Sequence, residues 1–107
     1  MSGNSIDKGY ACRLRFTVVD DLGAKAALDG AEIAWALAAS KAGPPLITRD
    51  SGGMTISTSA ATVDFSLTRA ETGALQPGRY YHQLSIGFAG REPEVYFSGF
   101  LIVEARL

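Results

Sequence analysis

The chain has little of what chemistry at a protein site needs. It holds one cysteine and one histidine, so no internal disulfide can close and a zinc site built from several His and Cys ligands has no material. Ten Lys and Arg stand against eleven Asp and Glu, a net charge of -1 with no run of either sign. That balance removes the signature of nucleic-acid or anionic-membrane binding, and neither partner is expected. No apolar run approaches the roughly 20 residues of a membrane-spanning helix. Met1 to Lys8 is polar and lacks the apolar segment of a signal peptide. Residues 1 to 9 are therefore expected to be a flexible tail, on a protein synthesised in the cytoplasm and kept inside the cell that makes it.

Catalytic constellations are equally thin. No serine sits in a G-x-S-x-G setting, and any Ser-His-Asp arrangement would have to use His82, which shares a strand face with Tyr80 and Leu84. His82 is expected in the core or at its rim. Glu92 and Glu94 flank Pro93 in an exposed turn, without the burial that would tune an acid and base pair. Gly52-Gly53 and Gly87 to Gly90 lack the strand-to-helix context of a phosphate cradle. Asp20-Asp21 lacks the further spaced oxygens of a calcium loop and is expected to be a solvated turn. No enzyme activity, metal or cofactor is expected.

What the chain does have is alternation. At 107 residues it is the size of one domain, here residues 10 to 107, and hides roughly 65% of its unfolded surface on folding. Pro77-Gly78 forces a turn, after which Tyr80, His82, Leu84, Ile86 and Phe88 repeat at the period of a half-buried strand. Cys12, Leu14, Phe16 and Val18 alternate likewise, which makes Cys12 a buried, inert thiol. Short strands follow at Leu46 to Arg49, at Met54 and Ile56, and at Val63, Phe65 and Leu67, with turn chemistry between them. Pro44 and Pro45 suit an edge strand. Thr68 to Gly73, with a capping Thr and a terminating Gly, is expected to make one helical turn.

Residues 29 to 42 read two ways. Asp29 and Glu32 have capping-box spacing and the segment is alanine-rich, which suits a helix ended by Gly43-Pro44. Ile33, Trp35 and Leu37 nevertheless alternate, and a helix would spread them over about 200° of its circumference. We prefer the strand, with Ala34 and Ala36 on its far side as a weakly polar contact surface.

The final strand, Val95 to Glu104, is apolar on both faces: Val95, Phe97, Leu101 and Val103 on one, Tyr96, Phe100 and Ile102 on the other, with a bulge expected at Gly99. Tyr81, Tyr96, Phe100 and Ile102 therefore form the candidate interface, beside one another on an outer sheet face. Such a patch most simply contacts another protein or another copy of the chain. A carbohydrate held on a planar aromatic platform is the alternative.

Seven or so strands with turns between them describe an antiparallel two-sheet sandwich. Leu75-x-Pro77-Gly78-x-Tyr80 resembles the tyrosine corner of immunoglobulin-like and fibronectin type III sandwiches, and Trp35 fits their central tryptophan. On that plan Trp35, Phe65, Leu75, Tyr80 and Leu84 are structural core. Gly30-x-x-Ile33-x-Trp35-x-Leu37, Pro45-Leu46-Ile47-Thr48, Val63-x-Phe65-x-Leu67-Thr68, the corner itself and Ser98-Gly99-x-Leu101-x-Val103 together resemble small immunoglobulin-like domains of tailed bacteriophage and prophage virions. The N-terminal domain of baseplate upper proteins is of this kind. The resemblance implies a non-enzymatic assembly module of a tail, baseplate or neck, whose partners are other virion proteins or itself.

Overall fold

Alternation at period two decides the architecture. The computed structural model describes residues 5–20, 22–88 and 90–105. Strand accounts for 55% of the structure and helix for 8%, so the chain is all-β. Among the described residues eight strands run in order: β1 Ser5–Asp7, β2 Cys12–Thr17, β3 Glu32–Ala38, β4 Pro45–Asp50, β5 Thr55–Ser57, β6 Thr62–Leu67, β7 Gly78–Gly87 and β8 Glu94–Glu104. A short helix, α1 Arg69–Gly73, lies between β6 and β7, and a single 3-10 turn, Ser51–Gly53, follows β4.

The strands make two sheets, a five-stranded one ordered β1-β8-β7-β3-β4 and a three-stranded one ordered β2-β6-β5. All pairings are antiparallel except that of β1 with β8. Between the sheets lies the core, to which one contributes Ile33, Trp35, Leu37, Leu84 and Leu101 and the other Val63, Phe65 and Leu67. The segment 29 to 42 thus holds a strand. Ile33, Trp35 and Leu37 are buried while Ala34 points out, an arrangement only the two-residue period allows. Pro45 opens an edge strand, where its missing N–H breaks no inner ladder.

The turn after β6 is held by a reciprocal cap. The Glu71 N–H donates to Thr68 Oγ1 at 3.1 Å, and the Thr68 N–H donates to Glu71 Oε1 at 2.9 Å. Arg49 of β4 donates to the same carboxylate and to the Ser66 carbonyl, tying the edge of the large sheet to the end of the small one. Arg49, and then the Thr68 N–H, hold the Glu71 carboxyl below the usual range. At the next connection the Tyr80 hydroxyl donates to the Gln76 carbonyl at 2.7 Å over buried Leu75. Tyr80→Phe, which removes only this hydrogen bond, should lower stability by about 0.5 to 1.5 kcal/mol in urea melts. An unchanged midpoint would deprive the corner of its role.

Two expectations need correction. Residues 5 to 9 are not a tail: Ser5, Ile6 and Asp7 pair in parallel with Ile102, Val103 and Glu104, and Ile6 is buried. The next residues are stitched down. Lys8 Nζ donates to the Gly73 and Leu75 carbonyls, and the buried Thr72 hydroxyl accepts from the Gly9 N–H and donates to the Tyr10 carbonyl. The rest of that expected tail, residues 1 to 4, lies outside the described residues. The bulge in β8 falls at Tyr96 and not at Gly99, since Leu84 pairs with Phe97 and Ser85 with Val95 while His82 faces Gly99 in regular register. Gly99 instead leaves room for a ring, because a Cβ there would stand 3.2 Å from Phe97 Cζ.

Candidate functional site

The outer face of the five-stranded sheet differs in chemistry from that of the small sheet. On the small sheet, Arg13, Arg15, Thr62, Asp64 and Ser66 face outward, and Arg15 Nε donates to Asp64 Oδ1 at 2.7 Å. That hydrogen bond draws the Asp64 carboxyl down, but an ion pair this exposed adds little stability. The large sheet presents Ala34 and Ala36 from β3, Thr48 from β4, Gln83 and Ser85 from β7 and Ser98 from β8. Its small, mostly uncharged side chains leave hollows, one of them lined by Ala34, Ala36, Thr48, Gln83 and Ser85 with Arg49 and Asp50 at the β4 edge.

At the end of this face where β7 begins, large groups gather. Tyr81 and Phe100 are register partners, with ring centroids 5.1 Å apart and planes at 86°. The Arg79 guanidinium lies 4.7 Å from the Phe100 centroid, and Lys41 Nζ lies 5.8 Å from that of Tyr81, so each ring carries a cation. Ile102 follows on β8 opposite Arg79. Phe100 is 49% exposed and Ile102 37%, enough apolar surface to reward a partner. Three of the four candidate interface residues, Tyr81, Phe100 and Ile102, therefore share one patch.

Tyr96 does not join them. The bulge at this residue turns its side chain toward the small sheet, where its oxygen accepts from the Val19 N–H at 3.0 Å. Val95, expected to face the core, is 57% exposed instead. Both departures have one cause: a bulge reverses the in-out alternation of everything on its far side, and sequence alternation alone puts that reversal in the wrong place. Arg79 and Lys41 escaped notice for a different reason. Arg79 was readable as an outward residue one place before Tyr80, whereas Lys41 reaches the face from a loop whose path no periodicity specifies.

His82 sits in the core, 5% exposed. The Trp35 indole N–H donates to its Nδ1 at 3.1 Å, which puts the imidazole proton on Nε2. Phe97 and Phe16 flank the ring, at centroid distances of 5.2 and 6.3 Å, and burial pushes its pKa down. The imidazole is packed among aromatic rings. Cys12 is half-buried, because β2 is an edge strand, and burial raises its thiol pKa. Asp20 accepts through Oδ1 from the Leu22 and Ala24 N–H groups in its turn, and Asp21 lies outside the described residues. Glu92 and Glu94 are exposed. No family model and no curated protein matches the chain.

Proposed function

We propose that this chain is a non-enzymatic assembly module, an immunoglobulin-like sandwich whose five-stranded sheet offers its outer face to other proteins. Strand order supports the fold. If β2 to β8 are read as strands B, C, C′, D, E, F and G, one sheet carries C, F and G and the other B, E and D, as that plan requires. The Tyr80 hydroxyl bond adds the corner. His82, two residues past Tyr80, stands where antibody domains have a core cysteine, and Trp35 bonds to it instead of packing on a disulfide.

The observation that carries the functional reading is the patch of Tyr81, Phe100 and Ile102 beside a sheet face whose central side chains are small and uncharged, set against the ion-paired face opposite. Rings at 86° make no single plane for a sugar to stack on, so protein contact is favoured over carbohydrate. The virion setting, in a phage or prophage tail, baseplate or neck, rests on the resemblance in sequence alone. Particles purified from producing cells test both parts. The chain should sediment with them, and joint replacement of Tyr81 and Phe100 by Ser should leave it in the supernatant with its melting temperature within a few degrees of the parent. A parent chain absent from the particles overturns the virion setting, and a doubly substituted chain that still enters them overturns the role of the patch.

A further inference from the structure

Resting on that reading, the geometry points to a specific occupant for the face: a second copy of this chain, packed face to face about a two-fold axis that crosses the strands, so that the two sheets run inverted. Two gradients along the strands lead there. The first is size. Tyr81, Phe100 and Ile102 crowd the end where β7 begins, while Ala34 and Ser85, register partners, leave a hollow toward the other end. The second is charge. Lys41 and Arg79 stand at the bulky end, and Glu32 and Asp50 at the other. Among the described residues neither cation pairs with a carboxylate.

An axis parallel to the strands would bring like ends together, with aromatic rings opposed and the hollow left wet. An axis across the strands sends each column of side chains onto its own copy in reverse. Ala36 then meets its counterpart near the centre, Tyr81 covers the partner's small side chains, and Lys41 faces the partner's acidic end. Size and charge are both satisfied by one operation, and the contact is isologous and closes at two copies. The footprint is centred on β3 and β7; Asp7 lies outside it on β1, and Glu104 ends β8 beyond the residues that pair with β7. Four strands about 4.8 Å apart and about seven residues long give roughly 400 Å² per copy. That is small for a specific interface, so the pair should be weak, concentration-dependent and weakened by salt.

The experiment is sedimentation equilibrium of the purified chain over a wide concentration range, at low and high salt. The parent should dimerise reversibly. Lys41→Glu and Glu32→Lys should each raise the dissociation constant about tenfold, since the two-fold repeats every lost attraction. Both positions are exposed, so circular dichroism should show each variant folded. Mixing the two variants is the decisive arm, because the inverted pair then sets every new glutamate against a lysine and affinity should return to within about threefold of the parent. Should either variant fail to fold, Tyr81→Ser supplies the same loss of pairing from the size side. A parent that stays monomeric at all concentrations overturns the proposal, as does a mixture no better than its components. A monomeric parent whose entry into particles still depends on Tyr81 and Phe100 overturns the pair while leaving the assembly role standing.

Discussion

Trp35→Ala should be the most damaging single truncation in the molecule, lowering stability by about 3 to 5 kcal/mol. The indole is 1% exposed and its ring centroid lies 4.8 Å from that of Phe65 across the gap between the sheets, so its removal empties the place where the two layers meet. A second cost comes with the first. The indole N–H is the donor to His82 Nδ1, and His82 Nε2 already has no hydrogen-bond partner among the described residues. Truncation therefore leaves both imidazole nitrogens bare in an apolar surround, which places the loss toward the top of the range. Against the 5 to 15 kcal/mol typical of a small domain, this consumes a third or more of the total. The urea midpoint should fall by about 2 M, with the slope unchanged. A midpoint within error of the parent would remove Trp35 from the centre of the core.

Acid should unfold the protein through the same pair. Burial lowers the folded-state pKa of His82, so the unfolded chain takes up the proton first. The neutral imidazole contributes full stability above the unfolded value of about 6.5. That contribution declines as pH falls below it and is lost once pH has passed through the lower folded value. Among the described residues no charged group faces the ring to relieve the cost. The neighbours that face the ring are Phe16 from β2, Trp35 and Leu37 from β3, and Phe97 and Gly99 from β8. Protonation also turns Nδ1 into a donor aimed at the indole N–H, so the Trp35 bond must break. Asp64 and Glu71, held down by Arg15 and Arg49, add their own loss only near and below about pH 4. Melting temperature followed from pH 7.5 to 5 should therefore fall in the parent and stay nearly flat in His82→Gln, whose amide oxygen can accept from Trp35 without titrating. A parent as heat-stable at pH 5 as at pH 7.5 would sink the idea.

How far the sequence carried can be judged residue by residue. Strand β3 was legible because Ile33, Trp35 and Leu37 cannot share one side of a helix, whatever the alanine content around them. The Tyr80 bond was legible because its acceptor, Gln76, is four residues away and the intervening Pro77-Gly78 turns the chain back toward it. Errors arose where structure depends on a distant partner. Ser5 to Asp7 holds one apolar residue and becomes a strand only by meeting β8 almost a whole chain length later. The bulge at Tyr96 is a property of two strands in register, and in one strand read alone the glycine at 99 is the stronger signal. Of the contact face, the exposed rings could be read from alternation. Their cations, and the gradient of size across β3 and β7, needed the sheet order.

The pairing of β1 with β8 also sets a clock on the molecule's birth. Ile6 leaves the ribosome well before its neighbour Val103, and at about 5 to 20 residues per second the interval between them is several seconds or more. An all-β chain of this kind completes its long-range pairing in milliseconds to seconds once all strands exist. The small sheet and the β3–β4 hairpin can begin to form during synthesis, but Leu84 and Ile86 wait for β8, and Ile6 waits last of all. From the completion of β7 until β8 emerges, the nascent chain exposes a β7 edge with nothing on its far side, an open template for the wrong strand. A chain built this way is most vulnerable to mispairing just before the eleven-residue β8 emerges.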